Sequence, residues 1–246
     1  MMRIKLVLFL SILCGSLFSS VAQENGLEAW FQKTDQFLKK YVDDGLIRYR
    51  AISENPSELM QLTHAIENVD LSKKDVATRK AFWINAYNLT VIDAVMTNYP
   101  VSSPLDIDGF FAEEKHKMAG EWVTLDEIEK KKLVDELNEE RVHFVLVCAA
   151  KGCPPIMKGA YMPEKIDQQL EEQTRAALNN PDFIRVDHNK EKVALSKIFQ
   201  WYKKDFTQEA NSLRDYVSSY RNESPLPSNY RITYYEYDWS LNAKKK

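Results

Sequence analysis

An apolar run in the second half of the chain constrains the fold more than any other feature. It extends from Val142 to Cys148 and is interrupted only by His143, close to its start. Such a run is typical of a strand buried on both faces, because a half-exposed strand would alternate apolar and polar residues. We therefore expect residues 142–148 to form a buried strand.

A turn of small residues with a second cysteine follows this run. Cys153 precedes Pro154 and Pro155, and proline is well tolerated at the first position of a helix. The pattern predicts that a helix starts here with Cys153 at its N-terminus. The positive end of the helix dipole would lower the pKa of that thiol and make it a nucleophile.

The first residues have the form of a secretory signal peptide. Arg3 and Lys5 precede an apolar stretch from Leu6 to about Val21, followed by a small residue suited to cleavage. We expect cleavage after Ala22, export to the periplasm or secretion, and a mature domain over residues 23–246. The apolar stretch is too short and interrupted for a stable membrane span, so none is expected after cleavage.

Composition excludes some partners. Loss of Arg3 and Lys5 with the signal would leave 31 basic residues, from 33 in the full chain, against 36 acidic ones. An acidic chain without a clustered basic face is not expected to bind nucleic acid. The length suits one domain with a substantial core.

Periodicity predicts an α+β fold, a single domain in which a mixed β-sheet packs with several α-helices. Helical patterns surround short strands, and the longest helix is expected between Ser72 and Tyr99. A hairpin is predicted over residues 183–196, a strand over residues 46–51 and a helix over residues 125–137. A closing strand is predicted over residues 231–237.

Several ordered motifs resemble one family, the domain of unknown function 547 (DUF547). They occur in this order: Ala81-Phe-Trp-Ile-Asn-Ala-Tyr-Asn88, Tyr99-Pro100, Thr124-Leu-Asp-Glu-Ile-Glu129, His143 to Cys148 with Cys153-Pro-Pro, Leu195-Ser-Lys-Ile-Phe199 with Trp201-Tyr202 and Asp205-Phe206, and Tyr237-Asp-Trp-Ser240. The resemblance spans about residues 41–242 and implies a single domain, often secreted by bacteria, with no established activity. In the family a histidine frequently follows the glutamate that matches Glu129, whereas this chain has Lys130.

One hypothesis for the function is a cysteine-dependent hydrolase or acyltransferase. Cys153 would be the nucleophile, His143 its base and Glu129 the carboxylate that orients the base. An extended segment would place His143 roughly 16 Å from Cys148 and on the opposite face. Cys153 could approach His143 only if residues 149–152 turn back sharply. His116 is an alternative base.

Two alternatives involve the cysteine pair itself. Cys148 and Cys153 could form a disulfide in an oxidising compartment. The chain would then be a non-catalytic binding or structural domain, or a thiol–disulfide exchange protein, although C-x4-C is not the familiar redox spacing. A lone C-x4-C without further ligands does not indicate a metal site, and no motif indicates a cofactor. Whether the chain is an enzyme stays open at this point.

Two amides form a second constellation. Asn85 and Asn88 lie three residues apart, on one face of the longest predicted helix. Because an unpaired buried amide costs about 1–3 kcal/mol, both need partners. They are predicted either to bind substrate or to hold the backbone of a neighbouring segment.

Overall fold

The structure, a computed structural model, describes residues 26–245. The predicted signal peptide, residues 1–22, and its cleavage site therefore lie outside the described residues. Nine α-helices occur in the described part: α1 (26–41), α2 (Tyr49–Glu54), α3 (Ser57–Ala65), α4 (Val76–Thr97), α5 (Leu125–Glu127), α6 (Ile166–Asn179), α7 (Ile198–Trp201), α8 (Lys203–Phe206) and α9 (Leu213–Ser219). None of these helices is both long enough and apolar enough to cross a membrane.

Helices of other types complete the set. A π-helix, Ile128–Asp135, directly continues α5. Short 3₁₀-helices occupy Pro104–Asp106, Glu140–Phe144 and Pro163–Lys165.

The strands are short and form three small sheets. β1 (Val42–Asp43) pairs with β2 (Leu46–Ile47), and β3 (His116–Met118) pairs with β4 (Glu121–Val123), both antiparallel. The third sheet has the order β5 (Ile184–Asp187), β6 (Lys192–Leu195), β7 (Arg231–Tyr234). Because β5–β6 is antiparallel and β6–β7 is parallel, this sheet is mixed. The predicted single α+β domain with a mixed sheet is confirmed.

Several predicted elements are confirmed and one is partly wrong. The longest helix is α4, which starts four residues later than Ser72 because the Asp75 side chain accepts the Thr78 amide at 2.7 Å and caps it. The hairpin β5–β6 is present as predicted. The strand expected over residues 46–51 stops at Ile47, since Tyr49 begins α2.

The strand predicted over residues 142–148 is wrong. Residues up to Phe144 belong to the 3₁₀-helix Glu140–Phe144, and the following residues are irregular. The segment is buried on all sides because it runs between two hydrophobic clusters, and not because it is a central strand of a sheet. Val142 and Leu146 belong to the cluster around α4, while Phe144 and Ala150 belong to the cluster around β5–β7.

A side-chain amide of α4 gives residues 142–148 the backbone hydrogen bonds that a neighbouring strand would otherwise supply. Asn88 donates from Nδ2 to the Val145 carbonyl at 3.0 Å, and its Oδ1 accepts the Val147 amide at 2.9 Å. Asn85 does the same for Tyr161, at 2.7 and 3.0 Å. Both amides are fully buried. These partners are backbone atoms of Val145, Val147 and Tyr161, and Asn85 also donates to the Ala81 carbonyl of its own helix, so both amides hold backbone.

The helix predicted to start at Cys153 is also wrong. Residues 154–157 have no regular structure, and the next helical residues begin at Pro163. Pro155 instead packs against Gly45, where an added Cβ would lie only 2.3 Å from the proline Cβ. Cys153 therefore does not lie at a helix N-terminus, and the dipole argument for a lowered pKa of its thiol does not apply.

We predict that Asn88→Ala lowers the free energy of unfolding by about 2–4 kcal/mol, because it leaves two buried backbone groups without partners. Urea denaturation measures this change. Asn98→Ala is the matched control, since the Asn98 amide binds only the Ala94 carbonyl of its own helix and is partly exposed. Equal losses in the two variants would contradict the assigned role of Asn88.

Candidate functional site

A cleft of about 410 Å³ contains both cysteines of residues 26–245 in its wall. We call it the disulfide cleft. Tyrosine, tryptophan and phenylalanine side chains line it together with Asp126, Glu129 and His143. The aromatic residues of its wall are Tyr87, Phe111, Trp201, Tyr202, Tyr237 and Trp239, and the two cysteines are Cys148 and Cys153. Concave, mainly apolar surfaces with a few converging polar groups are typical of ligand sites.

The structure joins Cys148 and Cys153 in a disulfide bond. Backbone hydrogen bonds to residues 238–242 hold the loop between them. The Lys151 amide donates to the Ser240 carbonyl at 2.9 Å and the Gly152 amide to the Asp238 carbonyl at 2.8 Å. In return, the amide of residue 242 donates to the carbonyl of residue 149. The loop conformation thus has a backbone framework in addition to the disulfide.

Tyr237 contacts both sulfur atoms. Its hydroxyl lies 2.9 Å from Cys148 Sγ and 3.0 Å from Cys153 Sγ. The ring fits because residue 152 is glycine: an added Cβ there would lie 2.9 Å from ring atoms of Tyr237. Burial raises the pKa of Tyr237 well above its ordinary value, so the hydroxyl keeps its proton. Cys153 Sγ also accepts the Cys148 amide at 3.0 Å.

Three aromatic rings, tilted with respect to one another, pack together in the wall of the cleft. Trp201 packs on Tyr237 with ring centroids 5.0 Å apart and on Trp239 at 5.8 Å. Trp201 is nonetheless 47% exposed. A large aromatic side chain exposed beside a cleft is available for contact with a ligand.

His143 lies at the base of the cleft between two carboxylates. Its Nδ1 is 2.9 Å from Glu129 Oε1 and its Nε2 is 2.9 Å from Asp205 Oδ2. The ring stacks on Tyr202 with centroids 3.8 Å apart, and its side chain is 1% exposed. Burial lowers the pKa of His143, but the hydrogen bonds to Asp205 and Glu129 outweigh burial and raise it above the ordinary value. The two carboxylates that face its nitrogens thus favour the protonated imidazole.

The structure brings together part of the predicted catalytic set. Glu129 and His143 are hydrogen-bonded, and Cys153 lies in the same cleft. The argument that His143 and Cys148 point to opposite faces is wrong, because the segment is not extended and both line the cleft. Both nitrogens of His143 already face carboxylates, however, so neither is directed at the Cys153 sulfur.

Sequence reasoning did not identify Asp205 or Tyr237 as site residues. Both lie in the motifs that carry the family resemblance, Asp205-Phe206 and Tyr237-Asp-Trp-Ser240. Asp205 is 62 residues from His143 in sequence, and Tyr237 is 84 residues from Cys153. These motifs were the one indication in the sequence that Asp205 and Tyr237 matter. A motif alone does not show which side chains its residues contact in the fold.

The other histidines lie away from the disulfide cleft. His116 is in β3 and lines a separate cavity with Met60 and Trp122. The exposed His64 contacts Glu67, and His188 contacts the Tyr230 hydroxyl. Within residues 26–245, no group of three or more His, Cys, Asp or Glu side chains is arranged to hold a metal ion.

Comparison with known families gives one match. Residues 71–177 match the model of a family described as "Protein of unknown function, DUF547". The matched region includes Glu129, His143 and both cysteines of the cleft, whereas Asp205 and Tyr237 follow it. The wider extent of the resemblance, about residues 41–242, stays a prediction. No curated protein and no solved structure matches the chain.

We predict that His143 stabilises the fold as a cation. Because its folded-state pKa is raised, the stabilisation is fully present below its unfolded pKa, near 6.5, and is lost as the pH rises through the folded pKa. At pH 6 we expect His143→Gln to lower the free energy of unfolding by about 3 kcal/mol, since the buried Glu129 and the partly buried Asp205 lose their cation.

The measurement is urea denaturation of both proteins from pH 5.5 to 10. The stability difference between wild type and His143→Gln should shrink as the pH rises. His64→Gln is the control, because His64 is exposed and its variant should follow the wild-type pH profile. A His143→Gln difference that stays constant over this pH range would contradict the cationic assignment.

Proposed function

We propose that this protein is a thiol–disulfide exchange protein whose redox pair is Cys148 and Cys153. The observation that carries the proposal is the position of the disulfide, which forms part of the wall of an aromatic cleft rather than lying inside a core. We also propose export through the signal peptide over residues 1–22, which would place the pair in an oxidising compartment.

The disulfide contributes little to the stability of the fold, and this supports a redox role. A bridge that closes a loop of about six residues stabilises a fold by only about 2 kcal/mol in the chain-entropy account. Here the loop is also held by the backbone bonds of Lys151 and Gly152 to residues 238–240. Reduction would therefore leave both sulfurs in place at the cleft, as a reversible reaction requires.

The hydrogen bonds at the sulfurs favour Cys153 as the leaving thiolate. Cys153 Sγ faces two donors, the Cys148 amide and the Tyr237 hydroxyl, whereas Cys148 Sγ faces the Tyr237 hydroxyl. Hydrogen bonds to the charged form lower a thiol pKa. A thiol with a lower pKa is also the better leaving group in exchange.

The reaction balances with a dithiol substrate. A substrate thiolate attacks Cys148 Sγ, the bond between the two protein sulfurs breaks, and Cys153 leaves as a thiolate. The second substrate thiolate then attacks the substrate sulfur of the mixed disulfide and releases Cys148. The substrate loses two electrons and the disulfide gains them, while the two protons of the substrate thiols end on Cys148 and Cys153.

The aromatic wall supports a role in substrate binding. Trp201, exposed beside the sulfurs, offers a face for the apolar part of a substrate. A hydrolase or acyltransferase that used His143 as its base is less well supported, since both ring nitrogens of His143 contact carboxylates. The remaining alternative is a binding domain with an inert disulfide. The reduction potential of the pair distinguishes it from an exchange protein.

We predict a reduction potential for the pair between about −270 and −120 mV, the range of catalytic pairs. The protein is equilibrated in glutathione or dithiothreitol buffers of defined potential, alkylated and analysed by intact mass. A potential below about −300 mV would instead be that of a structural disulfide and would contradict the exchange function.

We predict further that Tyr237→Phe raises the pKa of the Cys153 thiol by roughly one unit, because one hydrogen bond to the thiolate is lost. The measurement uses Cys148→Ser, in which Cys153 is the lone cysteine of the mature chain, and follows the alkylation rate against pH. Tyr235→Phe is the matched control, since the Tyr235 hydroxyl binds the Phe183 carbonyl and not a sulfur. An unchanged pKa in Tyr237→Phe would contradict the assignment.

A further inference from the structure

Three aromatic side chains of the disulfide cleft keep part of their surface exposed to solvent. Trp201 is about half exposed, and Phe111 and Trp239 are partly exposed. Among the described residues, no lysine or arginine lies over any aromatic ring of this cleft. Exposed aromatic surface is stabilised when an apolar group covers it. The wall of the cleft is thus available to an apolar or aromatic group of a substrate.

One tyrosine hydroxyl in the wall of the cleft has no partner. The Tyr237 hydroxyl contacts the two sulfurs, and the Tyr202 hydroxyl interacts with Glu129. The Tyr87 hydroxyl forms no hydrogen bond to any residue of the described part. Tyr87 is only 3% exposed, but its hydroxyl is not sealed from solvent, so it faces the open space of the cleft.

This hydroxyl is suited to bind a carbonyl group. Burial and the charge of Glu129 raise the pKa of Tyr87 well above its ordinary value, so the hydroxyl keeps its proton and can donate it. A hydroxyl that loses contact with water needs a new partner when a substrate fills the cleft. The carbonyl oxygen of a peptide would supply one.

The charges of the cleft disfavour an anionic substrate. Asp126 and Glu129 line it, whereas no lysine or arginine of the described residues does. Its one basic side chain, His143, is almost fully buried and bound to two carboxylates. Lys130 does not line the cleft and pairs with Asp126. A substrate carboxylate would therefore meet like charges without an available cation, and an uncharged substrate avoids this repulsion.

We propose that the disulfide cleft selects peptide dithiols that carry an aromatic side chain next to a cysteine and no acidic side chain beside it. This substrate class rests on the proposed exchange function of the same cysteine pair. The aromatic side chain packs against Trp201 and Trp239, a backbone carbonyl accepts the hydrogen bond of Tyr87, and a peptide thiolate attacks Cys148 Sγ. Glutathione, which carries carboxylates and no aromatic group, lacks these features and reacts slowly.

The test compares three reduced peptides, acetyl-Cys-Gly-X-Cys-amide, in which X is Phe, Ala or Asp. Each peptide dithiol is oxidised as it reduces the protein disulfide, first by attack on Cys148 Sγ and then by attack on the mixed disulfide. The rate is followed in the full chain by acid quench, alkylation and intact mass. We expect the Phe peptide to react about tenfold faster than the Ala peptide, and the Asp peptide to be the slowest. Equal rates for the three peptides would overturn the substrate class and leave the exchange function standing.

Two variants locate the selection. Trp201→Ala should lower the ratio of the Phe rate to the Ala rate to about threefold or less. Trp122→Ala is the matched control, since Trp122 is exposed and lines a different cavity, and it should keep the wild-type ratio. Tyr87→Phe should slow all three peptides by about fivefold, because one hydrogen bond to the peptide backbone is lost. A wild-type ratio in Trp201→Ala, or an equal loss in Trp122→Ala, would overturn the site.

A thiol-free peptide, acetyl-Ser-Gly-Phe-Ser-amide, separates binding from exchange. NMR titration follows the tryptophan indole N–H resonances, and that of Trp201 is assigned by its absence in Trp201→Ala. We expect a saturable shift of the Trp201 resonance and no shift of the Trp122 resonance. Absence of a Trp201 shift would overturn the aromatic recognition. A Trp201 shift without reduction of the disulfide by any of the cysteine peptides would support that recognition and overturn the exchange function.

Discussion

The amide of Asn88 is the contact on which the rest of the site depends. It binds the carbonyl of Val145 and the amide of Val147, and so supplies the partners that a neighbouring strand would otherwise provide. Without them, the segment between His143 and Cys148 would bury backbone groups at a cost of about 1–3 kcal/mol each. With them, this segment can leave regular structure and turn. His143 and Cys148 therefore line the same cleft, which an extended strand would have prevented.

The fold class, α4 and the hairpin β5–β6 could be predicted from periodicity and caps, because these elements satisfy their own backbone. The segment over residues 142–148 could not, since an apolar run reports burial and not conformation. Two hydrophobic clusters bury it from both sides, and the side-chain amide of Asn88, 57 and 59 residues away in sequence, binds the backbone of Val145 and Val147. Cys153 followed by two prolines was equally ambiguous, because prolines that suit a helix start also suit the close contact between Pro155 and Gly45.

The candidate site was only partly visible in the sequence for the same reason. Glu129 and His143 were selected by residue type, and the structure brings them together at 2.9 Å. Their partner Asp205 and the sulfur contact Tyr237 come from distant parts of the chain, and only the tertiary fold identifies them. Lys130, which follows Glu129, forms an ion pair with Asp126 one helical turn earlier. In this chain the only histidine among the residues that line the cleft is thus His143, and it is held between acids.

His143 connects two cavities physically. Glu129, bound to Nδ1, lines the disulfide cleft, and Asp205, bound to Nε2, lines a second cavity, of about 600 Å³, with Glu140 and Tyr216. An imidazolium donates from both nitrogens, whereas a neutral imidazole has only one N–H and leaves one of the two carboxylates without its donor. A change of charge at Asp205 therefore alters the balance that keeps His143 protonated, and with it the hydrogen bond to Glu129. His143 also stacks on Tyr202, so the same imidazole contacts both carboxylates and an aromatic residue of the disulfide cleft wall.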